Sequence, residues 1–340
     1  MKNTKFLRIY SVMILLFITV ACLSSPTPPP GEIITIDNVC DYSGQVLEVA
    51  GQLIIPNGVS CSSEEPFTCQ LYLEDPFSHE TITLYMPVSK EEEIPINHMA
   101  ALPENYESSD FYVHTSDDKW ARNHSFISVR GNIDGGSGCN ISNIESITWM
   151  ERLLYSGMDL KRVTLDQALT EGLVVASITG NGLSRINLTL IPKMEVNLEI
   201  EIEPGTMFLS GTEGVQNMVL RQQEIVYLKP SVEVSVELEV SCANMELKQP
   251  GYTDVFTIST EPMNEDLVKL LAYEDFLFQS NELQQFAIWT ITDNPACAFC
   301  YVGIESGGYA HLPDENQIAA IKNMFELVGI DTTKYLVFNN

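Results

Sequence analysis

A chain of 340 residues is long enough for two domains, and its 45% hydrophobic content supplies ample core. Its 46 acidic and 18 basic residues give a net charge of −28, a surface that repels phosphate backbones and excludes nucleic acid as a partner. Such a surface suits solvation or cation binding, but the D-x-[DN]-x-[DN]-G loop of an EF-hand is absent.

Lys2, Lys5 and Arg8 open the chain as a basic region, and Ile9 to Ala21 follow as a mostly apolar run. The run is short of the ~20 residues that span a bilayer and has the length of a secretory h-region. No later stretch is long and apolar enough to span. Thr19-Val20-Ala21-Cys22 then resembles the lipobox of bacterial lipoprotein signals, with Thr19 where a larger aliphatic residue is usual. The resemblance implies that residues 1–21 are removed and that Cys22 becomes a lipid-bearing N-terminus. Once Lys2, Lys5 and Arg8 are gone, 15 basic residues face 46 acids, a net of −31. Residues 22–34 include "LSSPTPPPG", a Ser/Pro-rich stretch whose prolines favour an extended spacer. The expected location is extracytoplasmic, with the membrane reached through the lipid.

Export favours paired cysteines. Beyond Cys22 they fall into two groups: Cys40, Cys61, Cys69 and Cys139, then Cys242, Cys297 and Cys300. The first four admit three connectivities, of which Cys40–Cys139 and Cys61–Cys69 are expected. The last three leave one thiol over.

Residues 35–148 carry short strand signals. Gln45 to Pro56 is β-rich, with Gly51 as a bulge or bend. Phe67, Cys69, Leu71 and Leu73 alternate, as do Ile82, Leu84 and Met86. A short helix is predicted after Pro95, then strands over 110–115 and 124–131. Three strands, a helix and two strands resemble the OB-fold, a five-stranded Greek-key barrel. Such barrels take oligonucleotides or oligosaccharides. Tyr72, Tyr85, Phe111, Tyr112 and Trp120 are present without the basic groove that nucleic acid requires, which leaves a glycan or a protein as ligand.

In the connecting segment 149–172, Thr164 and Gln167 form a capping signal and Gly172 a helix stop. Residues 173–262 read as an Ig-like antiparallel β-sandwich. Val196, Leu198, Ile200 and Ile202 alternate with Asn197, Glu199, Glu201 and Glu203, and Val232, Val234, Val236, Leu238 and Val240 with polar residues. Cys242 continues the apolar parity, so it is expected inside. The segments "EPGTMF", "VQNMVL" and "VSC" resemble an uncharacterised β-sandwich module of bacterial surface proteins; the resemblance implies the fold and no activity.

Residues 263–340 turn helical, with three candidates around Leu267, Leu270 and Leu271, around Phe286, Ile288 and Trp289, and over 315–329. They predict a small bundle or a cap on the sandwich. Cys297-x-x-Cys300 lies between the last two. It suits a structural disulfide, a redox dithiol or half a zinc site. Zinc would need two more ligands, for which Cys242 and His311 match no known spacing. A thioredoxin-like site would need a strand before the motif, where a helix is predicted instead.

Among His79, His98, His114, His124 and His311 there is no H-E-x-x-H, and the chain holds no G-x-S-x-G, Walker A or G-x-G-x-x-G. The sequons at Asn123, Asn140 and Asn187 carry no weight in a bacterial lipoprotein. The fold expected is mainly β with α additions: an OB-like barrel, an Ig-like sandwich and C-terminal helices. The function expected is binding or interaction at the bacterial cell envelope, without catalysis, cofactor or metal. The alternatives are a thiol-disulfide protein using Cys297 and Cys300, and a carbohydrate-binding barrel.

Overall fold

The computed structural model describes residues 36–56, 58–91, 93–102, 111–135, 138–153, 159–300 and 312–339. The chain divides into two compact units, Met1–Leu154 and Tyr155–Asn340. The fold is mainly β, with most of its helix near the C-terminus.

In the first unit a single helical turn, α1 (Ile36–Val39), precedes β1 (Val46–Ile54), β2 (Thr68–Glu74) and β3 (Thr81–Ser89). Three short strands follow: β4 (His98–Ala100), β5 (Val113–His114) and β6 (Trp120–Ala121). Two long ones close the unit: β7 (Phe126–Gly135) and β8 (Cys139–Met150). β1, β2, β3, β8 and β7 form a closed five-stranded barrel, antiparallel except where β3 runs parallel to β8. Alternate residues of each strand point inward, so that Val49, Leu71, Leu84, Val129 and Ile141 are fully buried. Gly51 lies where a Cβ would stand 2.6 Å from Leu73 Cγ; it permits close approach of β1 and β2, and the β1–β7 register runs through it without a bulge.

The barrel corrects two expectations. Residues 95–102 form no helix; β4 instead pairs in parallel with β3, Val88 facing Met99. The free edge of β3 satisfies backbone groups that a short helix would leave open at its ends. Asn97, at φ +62°, turns the chain into β4 and accepts from Ile147 N–H and Ser116 Oγ. Residues 103–110, which take in the end of the expected helical stretch and the first residue of the strand expected over 110–115, lie outside the described residues. The second correction concerns the barrel strands. Expected strand 110–115 survives only as β5, in the side meander, and the fifth barrel strand is β8, which runs past the expected boundary at 148 to Met150.

The second unit begins with β9 (Leu160–Thr164) and α2 (Leu165–Thr170), so the expected helical connection 149–172 also holds strand. Thr164 and Gln167 form a reciprocal capping box, and Gly172 follows at φ +68°. Next come β10 (Val174–Gly180), β11 (Arg185–Pro192), β12 (Asn197–Ile202) and β13 (Met207–Ser210). β14 (Met218–Leu220), β15 (Glu224–Leu228), β16 (Val234–Cys242) and β17 (Val255–Ile258) complete the strands. β10, β11, β16, β14, β13 and β17 form an antiparallel sheet that closes on itself, and β15, β12 and β9 a second sheet. Glu199 departs from its expected outward position. It is buried beside Arg162 of the neighbouring β9, whose Nε is 3.1 Å away, because a buried carboxylate must be paired.

The C-terminal helices α3 (Glu265–Leu271), α4 (Asn281–Thr292) and α5 (Glu315–Leu327) are a cap on the sandwich. Leu270, Phe286, Ile288, Ile321 and Phe325 join Leu188, Leu238 and Val240 in one continuous core. Two polar clasps seat α4. Arg221, buried between β14 and β15, reaches Asn281 Oδ1 at 2.6 Å and Gln284 Oε1 at 3.2 Å. Gln285 accepts from Cys242 N–H at 2.9 Å and donates to Cys242 C=O at 2.7 Å. β11 pairs with β16 only as far as Glu239, so the Gln285 amide completes the ladder where the strand partner stops.

Candidate functional site

The outward face of β1, β2, β3 and β8 gathers uncharged hydrogen-bonding groups and two phenols. Core residues point inward at every second position, so Thr68, Gln70 and Tyr72 of β2 point outward with Thr83 and Tyr85 of β3. Register sets their neighbours. Tyr72 lies between Ile54 and Thr83, Thr83 lies beside Asn140, and Gln70 faces Tyr85. Tyr72 and Tyr85 are therefore diagonal cross-strand neighbours, about 7–8 Å apart along the sheet. No Lys or Arg stands in these rows. At the upper end Glu74 is held by His79 Nδ1 at 2.7 Å, and at the lower end Lys90 Nζ sits 3.5 Å over the Phe67 ring. In OB-type barrels this face and its flanking loops carry ligands. Here the loop after β1 is folded back onto β2 by Cys61–Cys69 and by backbone bonds Ser62 N–H to Thr68 O and Gln70 N–H to Ser60 O.

Of the other aromatics noted in the sequence, Phe111 is core. Tyr112 and Trp120 meet edge to face at 5.2 Å in the side meander, where His114 stacks on Trp120 at 4.3 Å. His114 is fixed between Asp118 Oδ1 and the Ile94 carbonyl, at 2.8 and 2.7 Å.

The cysteines sort as follows. Cys40, just after α1, is bonded to Cys139 at the start of β8, which ties the entry of the barrel to its last strand. Cys297 is bonded to Cys300. Both are half-buried, and the bond follows α4 and encloses a single 3-10 turn, Ala298–Cys300. Cys242 is free and fully buried, and its thiol donates weakly to the Leu183 carbonyl. Burial, with Asp293 adding to it, pushes this thiol up to about 12, so it carries no thiolate at neutral pH. Asp293 is itself raised by burial, while hydrogen bonds from Thr292 Oγ1 and Met245 N–H work the other way. Cys22 and His311 lie outside the described residues. Among those described, no three His, Cys, Asp or Glu side chains converge as a metal cluster. Nor does any described helix have the length and apolarity to cross a membrane.

Compared with known proteins, the chain matches no family model and no curated sequence. Its site therefore has to be read from its own chemistry. The alternation of β2 and β3 was visible in the sequence. Which outward residues stand side by side was not, because that depends on register and on the β3–β8 pairing.

Proposed function

We propose that this chain is an extracytoplasmic binding protein of the bacterial cell envelope, anchored by a lipid on Cys22 and without catalytic role. The ligand assigned to it is a neutral glycan, held on the outward face of β1–β3. The observation that carries this reading is the set Gln70, Tyr72, Thr83, Tyr85 and Asn140, brought side by side on a face without Lys or Arg, whose Glu74 is taken up by His79. Amide and hydroxyl groups match the donors and acceptors of sugar hydroxyls, and phenol rings offer apolar surface to the C–H face of a pyranose. Bonding of Cys40 to Cys139 and of Cys61 to Cys69 supports an oxidising compartment. The Ser/Pro spacer after Cys22 would hold the barrel off the membrane.

A glycan array probed with the chain and with its Tyr72→Ala/Tyr85→Ala variant tests the ligand. Wild-type binding to neutral glycans, lost in the folded variant, supports it; a blank array, or binding indifferent to both tyrosines, sinks it. Intact-mass analysis of the membrane fraction tests the anchor. A diacylated N-terminus at Cys22, abolished by Cys22→Ser, is expected, and an unmodified chain would refute it. A second reading, thiol-disulfide exchange, draws support from the half-buried Cys297–Cys300 bond. An insulin-reduction assay comparing wild type with Cys300→Ser decides it: equal, background turnover removes the idea.

A further inference from the structure

A separate cleft of about 670 Å³ opens in the second unit, between the first turn of α2, the end of β12, the start of β13 and the cap of α3. Its floor is apolar: Leu165, Ile202 and Leu267 are buried, with Met207 and Met263 beside them. Gly205 keeps it open, since a Cβ there would come within 3.1 Å of Met263 Sδ at a backbone φ of +88°. Its rim has one sign of charge. Asp166, Glu201, Glu203 and Glu261 line it, and none of the described lining residues is Lys, Arg or His.

The neighbouring cations are engaged elsewhere. Lys161 reaches Glu171, Arg162 reaches Glu199, and Lys269 and Lys334 both reach Asp266. Glu201 accepts only an amide, from Gln223 at 2.9 Å. Among the described residues, Asp166, Glu203 and Glu261 have no ion-pair partner. Two of the neutral polar groups are likewise bound up in the local fold: Asn264 Oδ1 caps α3 and Thr206 Oγ1 donates to the Glu203 carbonyl.

An apolar floor beneath a ring of unpaired carboxylates matches a ligand with an aliphatic body and a cationic head. We propose that this cleft binds a primary ammonium carried on an alkyl chain, the body lying on Leu165, Ile202 and Met263 and the head among Glu201, Glu203 and Glu261. The proposal is independent of the glycan reading, which concerns a different unit.

The test is calorimetric titration of the full chain with linear alkylammonium ions from butyl to octyl, each below its micelle concentration. Affinity should rise about fourfold per methylene until the floor is covered. The alcohol of equal length should bind at least tenfold more weakly, and the alkyl sulfate not at all. Glu203→Gln/Glu261→Gln should weaken octylammonium about tenfold or more. Met263→Lys, which tethers a cation over the floor from an exposed position, should abolish binding while thermal unfolding stays unchanged. Three results would overturn the proposal: ammonium and alcohol binding equally, indifference to both variants, or a salt-sensitive attraction independent of chain length. The last would be the diffuse field of a chain with net charge −28.

Discussion

Gln285 offers a direct measure of how the C-terminal cap is joined to the sandwich. Its amide accepts from Cys242 N–H and donates to Cys242 C=O, at 2.9 and 2.7 Å, on a residue with no solvent exposure. Replacing it by Leu keeps the approximate volume but removes both partners. Each lost bond costs about 1 kcal/mol net, and each buried backbone group left unpaired costs ~1–3 kcal/mol. With two groups left unpaired, the expected loss is thus about 2–6 kcal/mol, reduced if water reaches the half-buried amide site. With a urea slope of ~2 kcal/mol/M this moves the midpoint down by about 1–3 M. Trp289 is the sole tryptophan of the second unit, so its fluorescence in a Trp120→Phe/Trp149→Phe background reports that unit alone. Gln285→Glu separates the two bonds. A carboxylate still accepts from Cys242 N–H but faces the carbonyl with lone pairs, and regains a donor only when protonated. The loss in that variant should shrink as pH falls into the carboxylate range. A Gln285→Leu midpoint within about 0.2 M of wild type would refute the clasp.

Asp266 is held below the usual carboxylate range: burial opposes its ionised form, but hydrogen bonds from Lys334, Tyr335 and Lys269 outweigh it. Its stabilisation is therefore full above the unfolded value of about 3.9 and is lost as pH falls through the depressed folded value. Denaturant titrations of wild type and Asp266→Asn should differ at pH 7 and converge in acid; a gap that widens in acid would contradict the assignment. Cys40–Cys139 spans 99 residues and Cys61–Cys69 only 8. Chain-entropy arguments give ~4.7 and ~2.6 kcal/mol, so the Ser/Ser variant of the first pair should unfold at markedly lower urea than that of the second. In a Cys22→Ser chain, Cys242 should resist thiol reagents at pH 8 and react as one thiol once guanidinium unfolds the unit. Labelling of the native protein at the rate of a free thiol would show that the site is open.

Local chemistry made several elements legible. The alternation of Leu71 and Leu73, of Ile82 and Leu84, and of Leu238 and Val240 marks strands whatever their partners. Thr164 and Gln167 lie within one helical turn, so their capping box needs no tertiary contact. β8 was hidden for the opposite reason. Its isoleucines at 141, 144 and 147 break a period of two, because the β7–β8 register shifts between Arg130 and Asn132. Ile141 and Ile147, six residues apart, keep one parity and stay in the core, while Ile144 between them falls out of phase and Asn143 takes φ +46°. β4 was mistaken for helix because propensity cannot know of a free edge on β3. Glu199 read as solvent-facing because its cover, Arg162, belongs to a strand that pairs from far along the chain.

The sequence by itself determined the net charge of −28, the mainly β character, and the inward position of Cys242. Each follows from composition or from a period of a few residues. The tertiary structure alone decided how the strands close, which of Cys242, Cys297 and Cys300 stays free, and that the C-terminal helices share the sandwich core. It also decided which outward side chains meet on the barrel face and which carboxylates surround the cleft. These depend on contacts between residues tens of positions apart, whose pairing energy outweighs local preference and leaves no trace in local spacing.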